Sequence, residues 1–134
     1  MTVVVGYLAT REGRQGLAGA LDEAERRNCE LIVVISEKST PVAAEIAAAR
    51  EQELADYSEL AKARGVSCEV RTLTERNDVA EDLIAVATET NADVIVIGLR
   101  RRSPVGKLIL GSNAQRILLD SPCPVLAVKL DRNF

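Results

Sequence analysis

The chain has 134 residues, 47% of them hydrophobic and 28% charged, with a formal net charge of −3. That size and balance describe one globular domain, spanning residues 1–134, able to bury its own core, and they exclude a disordered chain. The absence of histidine excludes Ser–His and Cys–His nucleophiles and His-ligated zinc, and the lack of a broad basic surface or of stacking aromatics argues against nucleic acid as a partner.

The first predicted element is a strand at Val3–Val5, a β-branched run stopped by Gly6. A helix over Arg11–Arg27 follows, with Thr10 as N-cap and Leu17, Leu21 and Ala24 at helical spacing. "ELIVVIS", Glu30–Ser36, is the second strand. A long helix is predicted from Pro41 to Arg64, capped by Thr40, with Ile46, Leu54, Tyr57, Leu60 and Ala61 inward and Gly65 ending it. Val66–Leu73 is the third strand. The third helix runs over Val79–Thr90, with a capping box from Asp78 to Glu81 and Leu83, Ile84 and Ala87 inward. Ala92–Gly98 is the fourth strand. A helix capped by Ser112, with Ala114, Ile117 and Leu118 inward, and a last strand over Cys123–Leu130 complete the order. Continuous apolar strands alternating with helices predict a five-stranded, doubly wound parallel α/β sheet of the flavodoxin-like or nucleotide-binding type. Pro122 and Pro124 suit entry to an edge strand.

Cys29, Cys68 and Cys123 are odd in number, far apart and without a CxxC, so they read as reduced, mostly buried residues of a cytoplasmic protein. "MTVVVGYLAT" lacks the basic start and long apolar stretch of a signal peptide, and no apolar run reaches a membrane span.

In open parallel sheets, ligands bind at the carboxyl ends of the strands. The richest such segment is "GLRRRSPVGKLILGS", Gly98–Ser112. Gly98 is expected to end the fourth strand in a turn, and Gly111 to turn the chain into the helix that Ser112 caps. The first amides of that helix favour an anion. Ordinary turn and cap chemistry explains the same residues, so both readings stand at this point.

The whole pattern, including "VIVIGLRRRSPVGKLILGSNAQRIL" and the ending "SPCPVLAVK", resembles the universal stress protein family. ATP-binding members carry Gly-x2-Gly-x9-Gly-(Ser/Thr) after strand four. The outer positions match Gly98, Gly111 and Ser112; the middle glycine is Arg101 here. The acid that such members place after strand one is also missing, with Leu8 and Ala9 standing there. The resemblance implies a cytoplasmic stress-response protein binding ATP or AMP, with Mg²⁺ in the case of ATP, through Gly98, Arg101, Gly111, Ser112, Asn113, Ile35 and Ala9. Arg100, Arg102 and Lys107 are candidate additional phosphate contacts. It also implies a homodimer through the strand Val125–Leu130. The competing reading is an interaction module of the same fold that binds no nucleotide, favoured by the departures at Leu8–Ala9 and Arg101. An enzyme is the weakest reading. A phosphorylatable receiver lacks its acids, a His-x-Gly-His nucleotidyl transferase is impossible without histidine, and slow ATP hydrolysis would lack a general base.

Overall fold

A computed structural model describes residues 1–37, 43–73, 78–99 and 111–129. Five strands alternate with four helices: β1 (Thr2–Gly6), α1 (Arg11–Arg27), β2 (Glu30–Ser36), α2 (Ala44–Ala63), β3 (Cys68–Leu73), α3 (Val79–Glu89), β4 (Val94–Leu99), α4 (Ser112–Asp120) and β5 (Val125–Lys129). All pairings are parallel and the strand order is β3-β2-β1-β4-β5, the predicted doubly wound arrangement.

The apolar runs are continuous because both faces of the sheet are covered, and alternate residues feed two cores. Val3, Val5, Leu31, Val33, Ile35, Val94 and Val96 pack under α1 and α2. Val4, Ile32, Val34, Ile95, Ile97 and Leu99 pack against α3 and α4. Each fully buried valine or isoleucine contributes roughly 1.5–3 kcal/mol.

The capping chemistry is largely as the sequence predicts. Thr10 Oγ1 accepts from the Gly13 amide at 3.0 Å, and Asp78 Oδ1 from the Glu81 amide at 2.8 Å. Gly65 follows α2 at φ +76°, a left-handed conformation that favours glycine. Four expectations change. The helix α2 begins at Ala44, after Ala43, rather than at Pro41; Thr40 and Pro41 lie outside the described residues. Ile46 and Leu60 are exposed, because the buried stripe of α2 runs through Leu54, half-buried Tyr57 and Ala61. Leu118 is exposed too, leaving Ile117 as the buried side chain of α4. The strand β5 starts only at Val125, after Pro124, whose carbonyl accepts the Ile95 amide at 3.1 Å.

The two edges of the sheet differ. On β3, Arg71 pairs with Glu69 at 3.0 Å and reaches Glu89 at 3.6 Å, a charged guard on an edge that also exposes Val70. The other edge, β5, exposes Leu126, Ala127 and Lys129. Cys29 is buried, while Cys68 and Cys123 are half-buried; all three are free thiols, and burial pushes the Cys68 thiol up.

Candidate functional site: the crevice between β1 and β4

The chain leaves β1 toward the α1 face and leaves β4 toward the α4 face. The carboxyl ends of these neighbouring strands therefore flank a topological switch point. A crevice opens there. Its walls come from Gly6 and Leu8 after β1, Gly13 and Gly16 of α1, Val79 and Leu83 of α3, Ile97 and Gly98 of β4, and Asn113, Ala114 and Ile117 of α4. Its enclosed volume is about 80 Å³, which is a floor rather than a container for a nucleotide-sized ligand. Asn113 is the single polar side chain among the described lining residues.

Gly98 does not end its strand in a turn, as the sequence suggests. It lies inside β4, paired with Val128, and the strand continues to Leu99. Its lack of a side chain is needed for a different reason: a methyl group there would overlap the Glu12 carbonyl of α1. A Cβ on Gly16 would in turn stand 3.1 Å from the Gly98 nitrogen. The first turns of α1 thus lie directly on β4, and this close approach fixes one wall of the crevice.

The N-terminus of α4 forms the opposite wall. Gly111, not Ser112, is the N-cap, and Ser112 is the first helical residue. Among the described residues, no side chain caps this helix. Gly111 has φ −68°, which any residue adopts, and none of the described atoms comes within 4 Å of the position of its absent Cβ. Among the described residues, the leading amides of α4 therefore have no side-chain cap, unlike those of α1 and α3. Such amides, with the helix dipole behind them, favour an anion.

The predicted contacts divide. Gly98 and Asn113 line the crevice, and Gly111 and Ser112 stand at its α4 rim. Ile35 is buried in the core under α1 and α2 and pairs with Thr72. Ala9 faces a separate groove, with Tyr7, Arg14 and α2. Leu8, standing where an acid was expected, lines the crevice. Arg100, Arg101, Arg102 and Lys107 lie outside the described residues. Sequence reasoning missed Gly13, Gly16, Val79 and Leu83. The three-residue spacing of Gly13, Gly16 and Gly19 on one helix was the available signal for close packing.

The groove on the far side of the β1–α1 turn encloses about 810 Å³. Several of its polar groups are already paired within the protein. The Tyr7 hydroxyl donates to Glu53 Oε1 at 2.5 Å, Arg14 Nε donates to Glu53 Oε2 at 2.7 Å, and Arg50 pairs with Glu37 at 2.5 Å. Burial and the Glu53 carboxylate raise the Tyr7 hydroxyl above its ordinary value. The Tyr7 bond lowers Glu53 in return, with Arg14 adding to the effect.

The universal stress protein family model matches residues 1–129. The chain belongs to the universal stress protein family. It is similar to a universal stress protein of Mycolicibacterium smegmatis, 40% identical over 95% of this chain and 96% of that one. Among solved structures, a universal stress protein from Archaeoglobus fulgidus superposes with TM-score 0.77 at 30% identity, covering 96% of this chain and 98% of that one. Solved family structures include nucleotide complexes. One is in complex with cAMP (TM-score 0.73, 24% identity, 98% of both chains); another, from Archaeoglobus fulgidus, is in complex with dAMP (TM-score 0.71, 24% identity, 96% of this chain and 98% of that one). At those identities the likeness to the two complexes carries the fold alone.

Proposed function

We propose that this family member is a cytoplasmic stress-response protein that binds an adenine nucleotide across the β1–β4 crevice. The observation that carries the reading is the α4 N-terminus: among the described residues its amides have no side-chain cap, and they stand at the switch point of a doubly wound sheet. The phosphate lies at Gly111, Ser112 and Asn113, close to Gly98, and Arg100, Arg101, Arg102 and Lys107 add charge from the intervening segment. The nucleoside extends toward the ends of β1 and β2, with Ile35 and Ala9 nearest that end. Relatives solved with cAMP and dAMP support an adenine monophosphate as the ligand class. With ATP as the ligand, Mg²⁺ accompanies it on the nucleotide's own phosphates.

Titration calorimetry with AMP, cAMP and ATP, the last with and without Mg²⁺, tests the reading. Saturable binding that weakens on adding salt supports it; no heat at millimolar nucleotide ends it. In that case the second reading takes over, an interaction module of the same fold. The apolar lining of the crevice, with Leu8 in place of an acid, favours that alternative. In either reading the chain acts as one domain and pairs through the exposed edge of β5 into a homodimer. Sedimentation would report a monomer if the edge is unused. Among the described residues no helix is long and apolar enough to cross a membrane.

A further inference from the structure

Two helices bring their N-terminal turns to the crevice, α3 through Val79 and Leu83 and α4 through Asn113, Ala114 and Ile117. The α3 turn is acidic, with Asp78 as N-cap, Glu81 and Asp82. Asp82 is buried and takes the Ser36 hydroxyl at 2.6 Å, so its charge is turned toward β2. Asp78 and Glu81 are partly exposed beside the crevice, where their charges oppose an incoming phosphate. Arg116 of α4 meets both: its Nη1 donates to Glu81 Oε1 at 2.9 Å and to Asp78 Oδ2 at 3.2 Å, and its Nε stands 3.8 Å from Asp120 Oδ2. One guanidinium thus bridges the two helices whose other faces form the crevice.

We propose that Arg116 is a positioning residue for the nucleotide: it ties α4 to α3 and offsets the Asp78 and Glu81 carboxylates, so that the crevice accepts an anion. The inference rests on the nucleotide reading of this crevice. A partly exposed ion-pair cluster adds little to stability. Its field nevertheless reaches a ligand within about a Debye length, roughly 8–10 Å at ordinary salt. The effect therefore belongs to ligand charge, with little dependence on the adenine base.

The test is calorimetry at low salt with adenosine, AMP and ATP on four proteins: wild type, Arg116→Lys, Arg116→Gln, and Arg116→Gln combined with Asp78→Asn and Glu81→Gln. Asparagine keeps the N-cap acceptor, so the combined variant retains α3, and thermal melts check that each protein is folded. Arg116→Gln is expected to weaken AMP about fivefold and ATP more, while adenosine binding stays within about twofold. Arg116→Lys retains most of the affinity, and removing the two acids restores AMP binding to Arg116→Gln. An equal loss for adenosine, AMP and ATP would mean a purely structural role and overturns the inference; so would an unchanged AMP affinity. If wild type takes up neither adenosine nor nucleotide, the crevice reading itself fails before any variant is compared, and this inference falls with it.

Discussion

The two concavities beside the β1–α1 turn make opposite use of their polar groups. The groove between the turn and α2 is the larger, about 810 Å³, and it is lined by arginines, glutamates and a tyrosine. Yet Tyr7, Arg14, Arg50 and Glu53 are already bound within the protein: Glu53 staples α2 to α1 and to the end of β1, and Arg50 ties α2 to Glu37 after β2. The crevice between β1 and β4 encloses about 80 Å³ and its described lining is almost wholly apolar, but a helix N-terminus faces it with no side-chain cap among the described residues. Volume and charge draw attention to the first; unspent donors point to the second. A site is better recognised by the hydrogen bonds it leaves to be made than by the polarity of its lining.

The largest expected effect strikes the crevice through its scaffold. Gly98→Ala forces a methyl into the Glu12 carbonyl, and both groups belong to main chain, so neither can turn aside. Overpacking at such a contact costs on the order of 3 kcal/mol, read as a lowered denaturation midpoint, and displaces α1 from β4. Gly111→Ala, by contrast, meets none of the described atoms and is expected to cost only the preference of an N-cap for glycine over alanine, about 0.5–1 kcal/mol. Equal effects of the two would show that the glycine frame is not divided into a packing residue and a rim residue.

Next comes the staple of the groove. Tyr7→Phe removes one hydrogen bond that is partly open to solvent, and is expected to cost about 0.5–1 kcal/mol without touching nucleotide affinity. The cost depends on pH. Glu53 is lowered in the folded state, so its contribution is complete above the ordinary carboxylate value near 4.3 and fades as pH falls through the folded one. Tyr7 is raised, so its contribution is complete below the ordinary phenol value near 10 and fades as pH rises through the folded one. Wild type and Tyr7→Phe should therefore differ most between about pH 5 and 9 and converge in acid. A difference that persists at pH 2.5 would detach the tyrosine from Glu53.

Local signals carried most of the fold. The helix α1 and strand β2 appear with the bounds read from their apolar spacing, and the Thr10 and Asp78 caps are each settled within four residues. What the sequence did not disclose was set by distant partners. The need for glycine at position 98 comes from α1, at the other end of the chain, although a turn explains it equally well locally. The Tyr7–Glu53 and Arg116–Asp78 contacts join elements with no shared pattern. The burial of α2 was misjudged at Ile46 and Leu60 because helical period alone cannot tell which of two adjoining stripes meets the sheet. At α4 the sequence put the cap on Ser112, and the structure places it one residue earlier, on Gly111.

That last choice yields the smallest stability effect and the sharpest separation of the two kinds of helix start. Asp78 spends its carboxylate on the α3 amides, so Asp78→Ala should cost about 1 kcal/mol, with Asp78→Asn costing far less. Ser112 makes no cap bond, so Ser112→Ala should change the melting midpoint by less than the error of most melts, within about 0.5 kcal/mol. If α4 keeps its leading amides for a phosphate, the same substitution should still weaken AMP a few-fold, by removing a hydroxyl donor at the rim. A serine that capped its own helix would show the reverse: a measurable loss of stability and no selective loss of ligand. The two measurements on one variant thus tell a helix end that serves the fold from one held open for an anion.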